Sequence, residues 1–270
     1  MFIRLATGHD LEAMTRVLIG ASPLDPVYPY RFPDRHLYPS QFSDLCRDKC
    51  AEYLATSTVV VCEMPSISCP STSVVVAFAA WDTPASRLCA RSGEIGTNTE
   101  PYSSSFSSSS VPMPVTIGHK DRMAAFRQAC AKYKASLFDS VYPEHRGGHV
   151  MLKILLCHPD YQRRGAGRAL TEWGIQEAAA LGLCTTVFAS PMGFNLYRKL
   201  GFRQIGSFKV QLDGEKEYLE IPALVLKPKR AEQGAQMRHL GDGCVGYECG
   251  GGGMYAATGG GIERIATACG

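Results

Sequence analysis

The chain has 270 residues, 45% hydrophobic and 20% charged, and 28 Lys plus Arg against 25 Asp plus Glu leave a formal charge of +3. That apolar mass excludes wholesale disorder, and so slight a charge gives no electrostatic ground for a nucleic-acid or membrane-surface partner. No apolar run approaches the ~18 residues of a bilayer span. The start, Met1-Phe2-Ile3-Arg4-Leu5, lacks the basic and apolar regions of a secretory leader, so a cytoplasmic protein is expected.

Phe2 to Ala6 alternates as a short strand, and Asp10 then stands as the cap of a helix carrying Leu11, Met14, Val17 and Leu18 at helical spacing. Residues 22–40 interleave Pro23, Pro26, Pro29, Pro33 and Pro39 with Tyr28, Tyr30, Phe32 and Tyr38, which forbids a long helix. Two readings stand for this loop: it lines a substrate pocket, or its aromatics simply pack on the core. Phe42 to Leu54 follows as a helix. Thr58 to Glu63 and Val74 to Asp82 are β-branched runs that predict an antiparallel pair. From 84 to 118 the pattern collapses into serine runs around Phe106, read as a disordered insertion. Helical periodicity resumes over Asp121 to Ser140.

His149 to Cys157 is a nearly continuous apolar strand of the kind buried on both faces. A helix is expected from about Gly165 to Leu181, with Ala166, Ala169, Leu170, Trp173 and Leu181 inward. Thr185 to Ala189 reads as a strand, Pro191 to Leu200 as a short helix stopped by Gly201, and Phe202 to Leu212 with Tyr218 to Leu226 as a hairpin turned at Asp213-Gly214. The eleven cysteines show no Cys-x-x-Cys spacing; reduced thiols and no metal site are expected. The domain is placed at 1–228 and a loose glycine-rich tail at 229–270.

The chemistry concentrates in the run from Leu155 to Leu170. A buried strand leads through a proline-bearing turn into a helix whose first turn holds Gly165 and Gly167. Helix-opening N–H groups lack internal partners and point from the positive end of the dipole, glycines admit an anion closely, and Arg163 and Arg164 add charge. This is a diphosphate cradle. It has neither the Lys-Ser/Thr ending of a triphosphate loop nor the Gly-x-Gly-x-x-Gly of a dinucleotide fold.

Gln162, Gly165 and Gly167, followed about thirty residues later by Tyr197, Gly201 and Phe202, resemble the two signatures of the GNAT acetyltransferase superfamily: Gln/Arg-x-x-Gly-x-Gly/Ala and Tyr-x-x-x-Gly-Phe. The likeness is sharpest from His149 to Lys227 and weaker over Phe2 to Asp82. It implies a mixed α/β fold with acetyl-CoA held between splayed parallel strands at Met151 to Cys157 and Thr185 to Ala189. Its pantetheine arm would pair with the backbone of Leu155, Leu156 and Cys157, and its pyrophosphate with the N–H groups of Arg163, Arg164, Gly165, Ala166, Gly167 and Arg168. The resemblance also gives Tyr197 the role of proton donor to the leaving thiolate. Ser190 stands where many members place an Asn that holds the cofactor arm.

The implied reaction is acetyl transfer to an amine by direct attack in a ternary complex. With an amine pKa near ~10, about one molecule in a thousand is neutral at pH 7, so a base is needed. No Glu lies on the strand before the cradle. Among Glu144, His145, His149, Lys153, His158 and Asp160, His149 begins the strand at the acceptor end and has a suitable ordinary pKa of ~6.5, whereas His158 reads as structural. A backbone N–H near Leu155 or Leu156 would stabilise the oxyanion. Cys157, inside an apolar strand, is core and no nucleophile. A small-molecule amine is the expected acceptor because of the Pro/Tyr-rich loop. The alternatives are a protein or peptide amine in an open acidic groove, and an acyl-CoA-binding protein that has lost turnover.

Overall fold

The computed structural model describes residues 1–92, 118–144 and 147–228, with the strand residues 239–240, 244–249, 253–258 and 261–265. Two compact units emerge, Met1–Pro228 and Lys229–Gly270. The first is built on a seven-stranded sheet in the order β1-β2-β3-β4-β5-β7-β6, from β1 (Phe2–Leu5), β2 (Thr58–Pro65), β3 (Ser73–Asp82), β4 (His149–Cys157), β5 (Cys184–Phe188), β6 (Arg203–Val210) and β7 (Leu219–Leu226). Its helices are α1 (Leu11–Ala21), α2 (Val27–Arg31), α3 (Pro39–Thr56), α4 (Pro84–Ser92), α5 (Lys120–Lys134), α6 (Ala166–Ala180) and α7 (Pro191–Lys199). The mixed α/β class read from the sequence is thus found. In the second unit, β8 (His239–Leu240), β9 (Cys244–Cys249), β10 (Gly253–Thr258) and β11 (Gly261–Ile265) pair in an antiparallel sheet, within a stretch whose glycine content reads as loose chain.

The middle strands are continuous apolar runs because helices cover both sheet faces. Val60, Cys62, Ala77, Ala79, Trp81 and Leu152 pack toward Leu170 and Ala178 of α6. Val59, Val61, Phe78 and Ala80, alternating with them, pack toward Met14, Leu18, Cys46 and Cys50 of α1 and α3. Helix α6 lies so close to the sheet that a Cβ on Gly174 would meet the Trp81 ring at 2.2 Å. This close approach turns the helix's buried face toward Gly174 and Ala178, and Leu181, expected inward, is exposed.

Three local expectations need correcting. Asp10 makes no side-chain bond to the opening of α1; it accepts instead from the Thr7 N–H at 2.8 Å and pairs with Arg4 at 2.8 Å, tying the first turn to β1. The Pro-rich segment holds the five-residue α2, which admits Pro29 because its N–H falls in the first turn, where no helical partner exists. The insertion placed at 84–118 begins with α4, whose first turn Thr83 and Ser86 close by reciprocal hydrogen bonds of 2.9 and 3.1 Å, and its last residue, Gly118, is buried. The rest of it, 93–117, lies outside the described residues, as does His145. Among the described residues the cysteines are unpaired, with Cys46, Cys50 and Cys62 buried and Cys69 exposed, and no helix is long and apolar enough to cross a membrane.

Candidate active site

The only parallel pair of the large sheet positions the site. Strand β4 pairs with β5 from His149↔Cys184 to Leu152↔Val187 and no further, while β4 stays paired with β3 as far as Cys157↔Ala77. Beyond Phe188 the other chain turns away, the Ala189 N–H bonding to Pro222 O at 2.9 Å. One edge of β4 past Leu152 is thereby left without a strand partner, and such an edge accepts an extended ligand by backbone pairing. The gap opens into a cavity of 360 Å³ whose lining includes Leu155, Leu156, Ser190 and Tyr197. Asp25, Tyr28 and Arg31 come from the Pro-rich segment, and Lys153 from β4 itself.

The turn after β4 is fixed by local bonds. Gln162 Nε2 donates to Cys157 O at 3.3 Å, so its side chain braces the turn. Arg163 and Gly165 both have left-handed backbones, with φ of +62° and +93°. Gly165 is the N-cap of α6, and the first intrahelical N–H there is that of Ala169, bonded to Gly165 O at 3.0 Å. The N–H groups of Ala166, Gly167 and Arg168 are therefore the unpartnered opening of a fifteen-residue helix. A Cβ on Gly165 would meet nothing within 4 Å, which leaves the approach to those amides open. Such open amides at a dipole's positive end fit a diphosphate. The arginines stand around it differently: Arg164 stacks on Tyr161 at 5.2 Å, Arg168 pairs with Glu172 at 2.8 Å, and Arg163 is exposed. Ala166 is buried, so only its backbone faces the cradle. Burial raises the Cys157 thiol to about 11, in keeping with a packing role.

Tyr197 is buried on α7, against Phe202 at 5.7 Å. Burial, with a smaller contribution from the Asp25 charge, pushes its phenol well above the ordinary value, so it keeps its proton through neutral pH. Ser190 donates to Asp25, which also accepts from the Val27 N–H at 3.1 Å. Burial raises the Asp25 carboxyl, and these hydrogen bonds with the more distant Arg31 offset that rise only in part. Asp25 escaped the sequence reading. Its one signal was being an acid in an otherwise aromatic and proline-rich run, and nothing local ties it to Ser190 or Tyr197, more than 160 residues on.

His149 lies elsewhere. It sits at the closed end of the β4–β5 pair, almost wholly buried and outside the cavity lining. Its Nδ1 bonds to Thr186 Oγ1 at 2.7 Å and its Nε2 to Asp139 Oδ1 at 3.0 Å. Burial lowers its pKa despite Asp139, so it is a neutral, fully engaged ring. The expectation that it lies at the site is corrected: the cavity opens at the other end of the strand, at Lys153 and beyond, where β5 pairing has stopped. The described residues hold no group of three or more His, Cys, Asp or Glu able to bind a metal ion.

Known proteins share parts of this sequence and fold. Residues 129–204 match the family model of the acetyltransferase (GNAT) domain. An "Acetyltransferase" of Stachybotrys chartarum is 25% identical over 236 residues, spanning 84% of this chain and 91% of that protein. Among solved structures, a histone acetyltransferase HPA2 and related acetyltransferase from Corynebacterium glutamicum is 17% identical, covering 84% of this chain and 96% of its own at a TM-score of 0.49. A mosquito arylalkylamine N-acetyltransferase-like 5b protein is 14% identical, covering 84% and 99% at a TM-score of 0.47.

Proposed function

We propose that this protein, a GNAT-superfamily acetyltransferase, moves the acetyl group of acetyl-CoA onto the amine of a small molecule. Acetyl-CoA supplies the activated thioester. The N–H groups of Ala166, Gly167 and Arg168 meet its diphosphate, and the unpartnered edge of β4 at Leu155–Cys157 meets its arm. Asp25 is the base. A carboxyl raised by burial is a better proton acceptor at neutral pH than an ordinary one, and it lies in the cavity beside Ser190 and near Tyr197. Asp25 takes the proton of the attacking amine; the nitrogen forms its bond to the acetyl carbon as the carbon–sulfur bond breaks. Tyr197 delivers a proton to the departing sulfur and is then recharged from solvent or from Asp25. A backbone N–H on the open edge of β4 faces the carbonyl oxygen.

One observation carries the reading: the β4–β5 gap and a raised acid share a single cavity, and the strand that lines it, β4, runs on through one turn into the helix-opening cradle. Buried Tyr28 and Tyr53 in its wall, and a lining richer in Lys and Arg than in acids, support a small acceptor over a protein tail in a shallow acidic groove. Thiol release from acetyl-CoA with a panel of small amines tests it. Turnover should fall as pH drops through the raised Asp25 pKa, because only the ionised form accepts a proton. Asp25→Asn should lower kcat by about 100-fold or more with CoA affinity unchanged. Because a raised carboxyl favours the protonated folded state, Asp25 contributes stability at low pH that is lost as pH rises through its folded pKa. At neutral pH, Asp25→Asn should therefore leave Tm unchanged or higher. Full activity in the variant removes Asp25 as the base; no thiol release with any amine, despite CoA binding, favours a binding protein.

A further inference from the structure

Four cationic side chains line the cavity, and two have their charge matched. Lys49 meets both Glu52 oxygens at 2.7 Å, and Lys134 meets Asp139 at 2.7 Å. The other two are Arg31 and Lys153. The Arg31 guanidinium rests over the rings of Tyr28, Phe32 and Phe126 at 5.0, 5.2 and 4.6 Å, with Nε donating to the Val27 carbonyl at 3.1 Å. Lys153 Nζ donates to the neutral Ser57 hydroxyl at 3.0 Å. Among the described residues neither has a carboxylate within ion-pair distance. The nearby acids are engaged: Asp82 lies 3.5 Å from Arg87, and Glu52 holds Lys49.

The position of Lys153 is a built feature of the strand. Ala80 pairs with Ile154 and Trp81 with Leu152, so Lys153 is the extra residue of a bulge on β4, at the point where β5 departs. Bulges re-aim a side chain, and this one delivers an ammonium to the open end of the gap. Lys153 is exposed at this opening, and partial desolvation lowers its pKa although the more distant Asp82 and Glu52 act the other way. Tyr53 links the pair: Lys153 Nζ lies 5.8 Å from its ring, and Arg31 acts electrostatically on its hydroxyl. Two cations with no carboxylate at ion-pair distance stand around one tyrosine, in a cavity that Asp25 also lines, and together they complement a molecule with an amine at one end and an anion at the other.

We infer that the acceptor is an amino acid-like molecule whose carboxylate is held by Lys153 and Arg31 while its amine faces Asp25. The inference rests on the acetyltransferase reading above and deepens it by naming the acceptor class. The full chain should be assayed by thiol release from acetyl-CoA with matched pairs: phenylalanine against phenethylamine, and methionine against 3-(methylthio)propylamine. The expected result is a kcat/KM preference for the carboxylate-bearing member of about tenfold or more in any pair that turns over. Lys153→Met and Arg31→Met should erase that preference, mainly through KM for the amino acid, while Lys153→Arg retains it. Acetyl-CoA affinity, measured by calorimetry, checks that each variant is folded. Turnover with equal or greater preference for the decarboxylated partner overturns the inference and leaves the acetyltransferase reading in place. A preference that survives both Met variants overturns the assignment of these residues. No turnover of any acceptor overturns the small-amine reading, and this inference with it.

Discussion

The cradle and the cavity are made in different ways. The cradle after β4 is almost entirely backbone: amides of Ala166, Gly167 and Arg168, opened by left-handed Arg163 and Gly165, with the Ala166 side chain buried, Arg164 and Arg168 turned to Tyr161 and Glu172, and Arg163 exposed. The cavity is lined by side chains from distant segments, with Asp25, Tyr28 and Arg31 from the Pro-rich stretch, Tyr53 from α3 and Lys153 from a bulge. A backbone site is specified by a short run of chain and suits a ligand common to a whole family. A side-chain site can be rewritten residue by residue around a fixed scaffold, which is how one fold serves many acceptors.

The contrast makes separable demands. The largest effect should come from Gly165→Val. The position is left-handed, which costs an L-residue about 1–2 kcal/mol and a β-branched one more, and no protein atom lies near enough to clash. CoA affinity should fall on the order of 100-fold or more, out of proportion to a modest loss of Tm; unchanged affinity by calorimetry would break the comparison at its backbone end. A smaller effect is expected from Tyr197→Phe, a fall in kcat of about 10- to 100-fold with CoA affinity kept. Full activity would leave the hydroxyl a packing role. The smallest effect on turnover should come from His149→Gln, because this ring serves the closed end of the β4–β5 pair. Its folded pKa is depressed, so the stability it provides is present above ~6.5 and lost as pH falls below that. The variant should lower Tm at neutral pH and flatten the acid-side loss, with kcat within about threefold. A large fall in kcat would return His149 to the chemistry.

The same contrast explains what could be read from the chain alone. The run from Leu155 to Leu170 states a strand, a turn and a glycine-opened helix within sixteen residues, so the cradle and its ligand chemistry are local facts. The strands were legible because two-sided burial writes itself as apolar runs. Asp25 was not legible, because its partners Ser190 and Tyr197 reach it only through the sheet order. Lys153 could be named but not aimed, since the bulge that turns it is a property of its pairing with Ala80 and Trp81. His149 was misplaced because the sequence shows where β4 begins but not which of its ends is splayed. Leu181 was taken as inward because Gly174, where the Trp81 ring sits, has no side chain to contribute to the periodicity.

The most direct test follows the backbone amides of the isotope-labelled chain by NMR while CoA is titrated in. The resonances of Ala166, Gly167 and Arg168 should shift the most and become protected from solvent exchange as saturation is reached. If CoA binds and those three amides stay unmoved while another surface responds, the cradle is not where its phosphates lie.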